Sequence, residues 1–426
     1  MPLRRLLGLS GAASGRLRRG FSTSAWRPPW AMVQHVAAVN MPAPAQRASL
    51  RLAEPPCPSR LVVPAHLVRP PRDLDPPGDT IYGAFVGCVN AVSGDGLLLL
   101  NFFDVPATAP VVPGVFMPGG IRARRLTGIS DEPESQLFRL PDIDGTTKTL
   151  RYSDVGILTQ SERPDQPPDK YAVSVLSMSQ DRRSFVMRRF LSQTGKWDEM
   201  VGLPSPLPLA CPMDMALLHE PVAFAGRLWW IDVTCGALSV DPFSDRPELR
   251  FVELPRGSVA GQVDRKKGQE LVRYRRMSVS DGRMRYAEVS QEEPFLLSSF
   301  TLDDDGSCWK LEHRVALRRL WPHDNLCEDN PGIAVVDPLN PSVMHLRVGK
   351  KALSLDMDTG NLLGCTLIGE DYDRQSGFDL LKPCVLPPWL GSSRIPSSGT
   401  LPRNKDNGKS KSLSDILVRV DRARKN

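Results

Sequence analysis

Acidic residues are missing from the start of this 426-residue chain: the first is Glu54, while Arg4, Arg5, Arg16, Arg18, Arg19 and Arg27 fall within the first 27 positions. No apolar core of roughly 7 to 15 residues accompanies those arginines, which excludes a secretory signal peptide. Nor does any stretch approach the ~18 apolar residues that a membrane helix needs. The richest run, Gly96 to Phe103, holds four leucines and two phenylalanines. The eight cysteines are scattered, no two closer than 19 residues, which excludes a Cys-x-x-Cys site and a disulfide scaffold and reads as reduced, mostly buried thiols. Gly-x-Ser-x-Gly, His-Glu-x-x-His and Gly-x-Gly-x-x-Gly are all absent. Gly408-Lys409-Ser410 ends like a phosphate loop, but Arg403 stands where its first glycine is required.

What the N-terminus does contain is an Arg- and Ser-rich segment with Leu3, Leu6 and Leu7 on one helical face. That is the composition of an organellar transit peptide. Arg19-Gly20-Phe21-Ser22 resembles a processing site with Arg three positions before the cut, so residues 1–21 are expected to be removed after Phe21 and the mature chain to begin at Ser22. Import into mitochondria is the expectation, with chloroplasts as the alternative. Without the five arginines of residues 1–21, 49 basic groups of the original 54 face 48 acidic ones. A nearly neutral body has no electrostatic footprint for nucleic acid.

Forty prolines and 33 glycines leave few windows for long helices and favour many short strands. Residues 22–79 are proline-rich, with ten prolines between 41 and 78, and read as an extended linker. Strand patterns begin near Ile81, where Ser93-Gly94-Asp95-Gly96 makes a hairpin turn. They recur as units around Tyr171 to Trp197, Val222 to Leu254, Leu271 to Leu317 and Gly332 to Ile368. Gly195, Gly306 and Gly360 each precede an apolar strand. Units of roughly 40 to 50 residues with such turns predict an all-β fold, a β-propeller of about six blades over residues 80–390, with paired β-sandwiches as the alternative. Residues 391–426 read as a disordered tail carrying an amphipathic helix with Leu413, Ile416, Leu417 and Val420 on one face.

The most specific local pattern is Gly226-Arg227-Leu228-Trp229-Trp230-Ile231-Asp232, followed by Asp241-Pro242-Phe243 and by Arg250-Phe251-Val252-Glu253-Leu254-Pro255. Over residues 215–375, including Val335-Val336-Asp337-Pro338 and Ala352 to Met357, the chain resembles a grass-expanded plant family, domain of unknown function 1618. The resemblance implies a propeller-like fold akin to F-box-associated domains, and it brings no established activity or active-site residue. No F-box-like helical segment precedes Ile81, so the resemblance gives no ubiquitin-ligase role here.

Trp229 and Trp230 are adjacent on a strand and must point to opposite faces, which makes them core residues before they are a binding platform. Thr301, Asp303, Asp305, Gly306, Ser307 and Glu312 follow calcium-loop spacing, but Thr replaces the first Asp and the flanks are strands. Cys308, His313, His323 and Cys327 have zinc-like spacing and would need a strand bulge to converge. No catalytic residue, metal ligand or cofactor is therefore expected. Two functions remain: a non-enzymatic module that binds another protein, or a metal-dependent propeller hydrolase whose acidic loop residues Asp232, Asp241, Asp305 and Asp337 converge on an ion.

Overall fold

A computed structural model describes residues 28–40, 48–68, 82–106, 121–125, 140, 155–163, 166–208, 211, 213, 221–261, 263–320, 330–367 and 381–387. The N-terminal part gives β1 (Trp30–Val33), β2 (Val36–Asn40), β3 (Ser49–Arg51), β4 (Arg60–Pro64), β5 (Tyr82–Val92), β6 (Leu97–Pro106) and β7 (Ile121–Arg125). Then come β8 (Val155–Gln160), β9 (Lys170–Met178), β10 (Ser184–Leu191) and β11 (Lys196–Pro204), and β12 (Pro221–Phe224), β13 (Arg227–Asp232), β14 (Gly236–Val240) and β15 (Arg250–Glu253). After the short helix α1 (Arg265–Leu271) follow β16 (Arg275–Ser280), β17 (Arg283–Val289), β18 (Leu296–Leu302) and β19 (Trp309–Ala316). The last strands are β20 (Gly332–Val336), β21 (Val343–Val348), β22 (Lys351–Asp356), β23 (Asn361–Leu367) and β24 (Lys382–Val385).

These strands form a β-propeller. A six-stranded sheet of order β3-β4-β2-β5-β6-β7 makes the first blade in chain order, and strands β8–β11, β12–β15, β16–β19 and β20–β23 make the second to fifth, each antiparallel and four-stranded. Strands β5, β8, β12, β16, β20 and β24 contact one another in turn and return to β5, which closes the ring. That closure is what separates a propeller from two sandwiches, and it rules out the alternative architecture.

Five blades stand where about six were expected. The remaining interval, between β20 and β5, holds a two-stranded ribbon in which β1 pairs antiparallel with β24, Trp30 opposite Val385 and Val33 opposite Lys382. Residues 22–79 are accordingly more than a linker. Among the described ones, β1 joins the ribbon, Val33 bridges Ser59, and β2 pairs with both β4 and β5. Their prolines are accommodated at turns and strand ends: Pro55 and Pro56 in a turn, Pro64 as the last residue of β4. The proposed cut after Phe21 and the tail at 391–426 with its helix lie outside the described residues.

Burial follows strand position. β14 is buried at every residue and β20 at four of five, whereas the outermost strands β11, β19 and β23 hold one buried residue between them. Strands in the body of a blade are covered on both faces by neighbouring blades, so β14 and β20 read as short apolar runs. Trp230 enters the layer between the second and third blades with Phe185, Met187 and Leu238, and Trp229 the layer between the third and fourth with Met277 and Tyr286. Both are core residues. Gly360 turns β22 into β23 at φ 69°, a left-handed conformation that side chains disfavour.

Candidate functional site

The residues singled out by spacing do not assemble. Asp303 spends its carboxylate on its own turn, Oδ1 accepting from the Ser307 and Cys308 amides at 2.7 and 3.1 Å. Those bonds, from Cys308 first and Ser307 next, hold its pKa below the ordinary value. Glu312 is turned to the Arg285 guanidinium, and Thr301 is buried in β18. The bulge that the zinc reading required is present, since Glu312 is the extra residue of β19 opposite Ser299 and Phe300. Even so, His313 Nε2 lies 2.9 Å from Asp358 Oδ1 of the next blade, and Cys308 is exposed. His323 and Cys327 lie outside the described residues.

Three of the four acidic residues of the hydrolase reading are equally local. Asp232 Oδ1 accepts from the Thr234 amide and hydroxyl at 2.9 and 2.6 Å, and Asp241 Oδ1 from the Phe243 amide at 2.8 Å. Asp305 sits exposed at a hairpin tip. Among the described residues no group of three or more His, Cys, Asp or Glu side chains is placed to hold a metal ion.

Only Asp337 leads to a shared site. It follows β20, and its Oδ1 accepts from the Leu339 and Asn340 amides at 2.8 and 2.9 Å, which leaves Oδ2 facing His345 Nε2 at 3.8 Å. His345, on β21, is opposite Ser354 on β22, and Ser354 Oγ lies 3.0 Å from His345 Nδ1. His345 is 3% exposed, and its Nε2 is buried without a hydrogen-bond partner. The Trp30 ring of β1 covers it at a centroid distance of 5.4 Å.

These side chains floor a cleft of about 360 Å³ between the ribbon and the fifth blade. Pro28, Pro29, Pro55 and Pro56 wall it on one side and Val343 and Leu363 on the other, and Glu54 adds a second carboxylate at the rim. Leu363 reaches the cleft through a register shift in β23: Ser354 pairs with Gly364 and Leu355 with Leu362, so Leu363 is the extra residue. It is 59% exposed. Among the described residues the charged lining is Asp337 and Glu54, with no lysine or arginine.

Serine, histidine and aspartate together have the composition of a nucleophile, base and orienting acid. Their setting does not fit acyl transfer. Ser354 is in mid-strand, hydrogen-bonded into the ladder on both sides opposite His345 and Gly364, which engages the backbone donors that would stabilise an oxyanion. What the arrangement offers is hydrogen bonding. In the tautomer whose Nδ1–H donates to Ser354, Nε2 presents a lone pair beside Asp337 Oδ2, two acceptors side by side at the base of an apolar cleft.

His345 and Ser354 carry no sequence motif. Their alignment was nonetheless implicit in the two-residue turn Gly349-Lys350, which sets Val348 opposite Lys351 and therefore His345 opposite Ser354.

In comparison with known proteins, residues 230–345, from β13 into β21, match the model of a family described as a protein of unknown function, DUF1618. That stretch lies inside the region where the sequence resembles the same family. No curated protein matches the chain. Among solved structures, an α-L-arabinanase of Penicillium chrysogenum complexed with arabinobiose is similar at 14% identity, covering 68% of this chain and 84% of that one with a TM-score of 0.34. Apo AztD from Citrobacter koseri is similar at 12% identity, covering 68% of this chain and 73% of that one with a TM-score of 0.28.

Proposed function

We propose that this chain is a non-enzymatic, protein-binding β-propeller that works inside mitochondria and takes an extended segment of its partner, carrying a cationic side chain, into the cleft over His345. The observation that carries the reading is the pairing of Asp337 Oδ2 with a buried, unpartnered His345 Nε2 beneath apolar walls. An ammonium or guanidinium group has several N–H donors and satisfies both acceptors at once, with Glu54 adding attraction at the rim and the Trp30 face a further favourable surface. The outermost strand β23 continues the surface: Leu362, Leu363 and Leu367 are 41%, 59% and 74% exposed. A partner strand laid along that edge places one side chain in the cleft and apolar side chains on these leucines. Compartment rests on sequence alone, on the acid-free, arginine-rich start and the Arg19 to Ser22 pattern.

The purified chain beginning at Ser22 is titrated with a library of extended peptides carrying Lys or Arg between apolar residues, each with its neutral counterpart. Saturable binding that requires the cation, and that weakens in Asp337→Asn, supports the reading. Indifference to the cation, or a chain that remains an unliganded monomer against the library and in organelle extracts, overturns it. A fluorescent fusion of residues 1–40 that stays in the cytosol overturns the compartment.

A further inference from the structure

In the crossover between β11 and β12, the described residues Cys211 and Met213 pack in the layer beside the turn that joins β13 to β14. Cys235 closes that turn, 1% exposed, in the layer that also holds Leu228, Trp230 and Leu238. Cys211 belongs to the crossover and packs against the same layer while remaining half-buried. The two thiols are hydrogen-bonded to each other. The crossover is fixed at this point by Arg182, whose Nη2 donates to the carbonyl oxygens of Cys211 and Met213 at 3.3 and 2.8 Å.

We infer that Cys211 and Cys235 are a reversible redox pair that closes to a disulfide and fastens the β11–β12 crossover onto the β13–β14 turn. Two thiols whose side chains meet within one packed layer can close to the ~2.05 Å bond length by side-chain movement. The division of labour follows from exposure and acidity. Cys211 is reachable from solvent, and the hydrogen bond from Cys235, followed by one from the Met213 backbone and by the charge of Arg182, lowers its pKa despite its partial burial and the Asp232 carboxylate. Cys235 is held protonated by the bond to Cys211, by burial and by Asp232. Cys211 is the attacking thiolate and Cys235 the resolving thiol.

With glutathione disulfide as oxidant the exchange balances. The Cys211 thiolate attacks one sulfur, the glutathione S–S bond breaks, and a mixed disulfide forms as one glutathione thiolate leaves. The Cys235 proton passes to that thiolate. Cys235 sulfur then attacks Cys211 sulfur and expels the second glutathione, so two protein thiols are oxidised while one glutathione disulfide is reduced to two thiols.

The test equilibrates the full chain in glutathione buffers of graded redox ratio near neutral pH, blocks remaining thiols with iodoacetamide and maps peptides without reduction. The expected product is a Cys211–Cys235 cross-linked peptide, about 2 Da lighter than the two thiol peptides together, that returns to the separate peptides with dithiothreitol. Cys235→Ser is expected to accumulate the glutathione adduct on Cys211, and Cys211→Ser to leave Cys235 unmodified. Complete alkylation of both residues after exposure to glutathione disulfide overturns the proposal, as does oxidation confined to the exposed Cys308 and Cys365.

Discussion

Arg276 of β16 donates from Nη1 to the carbonyl oxygen of Ala334 in β20, 2.8 Å away. Its Nη2 donates to the carbonyl oxygen of Leu381, the residue before β24. One side chain, 1% exposed, thus ties the fourth blade, the fifth blade and the closing ribbon together at the inner end of the ring. A propeller's weakest junction is where its ends meet, and here that junction is fastened by a buried charge giving hydrogen bonds to backbone oxygens.

Replacing Arg276 by Met keeps much of the volume and removes those donors. Hydrogen bonds from charged donors contribute about 1.5–3 kcal/mol each, so the loss is expected to exceed roughly 3 kcal/mol in urea unfolding. Arg250→Met, at a side chain 63% exposed, is expected to stay within about 0.5 kcal/mol of the parent.

The ribbon gives a second prediction. A chain beginning at Pro28 retains β1, whereas one beginning at Gln34 lacks it and leaves β24 without its antiparallel partner. Thermal unfolding of the shorter chain is expected at a clearly lower Tm and over a broader range. Equal transitions would show that β1 is dispensable for closure.

Trp230 has no exposed surface and lies between two blades. Trp230→Ala is expected to cost about 3–5 kcal/mol, the range for deleting a large buried aromatic. Trp229→Phe, which keeps a ring but loses the Nε1 donor to the Phe224 carbonyl at 3.1 Å, is expected to cost about 1 kcal/mol.

Alkaline pH should weaken the fold. Burial pushes the Tyr171 hydroxyl from 10.0 up to about 12, and burial, partly offset by Lys382, pushes the Cys88 thiol from 9.0 up to about 12. In the unfolded chain both groups lose their protons first, so the unfolded state binds fewer protons and stability falls as pH rises. The contribution is whole below about pH 9 and is lost as pH climbs towards 12. Urea midpoints measured from pH 8 to 11 are expected to decline, and less steeply in Tyr171→Phe. A flat profile would show that neither proton is held.

In the cleft, Asp337→Asn keeps the oxygen that caps the Leu339 and Asn340 amides and removes the negative charge beside His345. Affinity for a cationic peptide is expected to fall about tenfold or more, roughly 1.4 kcal/mol, while Tm stays unchanged. A parallel drop in Tm would assign the carboxylate to the fold.

Some of this architecture was open to reading along the chain. Local turn chemistry marks the blade bodies: Gly195, Gly306 and Gly360 all adopt positive φ, and the strand patterns around Val222 to Leu254 and Gly332 to Ile368 coincide with the third and fifth blades. The opposed burial of Trp229 and Trp230 follows from strand alternation alone. The ribbon was hidden for the opposite reason. β1 is four residues long, sits among prolines, and acquires its partner only at Val385, so no window around Trp30 contains the information. The same holds for the cleft, where Trp30, Pro55 and Pro56 meet Asp337, His345 and Ser354 across hundreds of residues.

By itself the sequence determined the strands and turns of the blades from about Tyr171 onward and the opposed faces of Trp229 and Trp230, because these depend on steric preferences and a two-residue period that act within a few positions. Ring closure, the five-blade count with its ribbon, the buried histidine facing an aspartate and the meeting of Cys211 with Cys235 were decided only in three dimensions. Each depends on distant segments meeting once every blade has buried both of its faces.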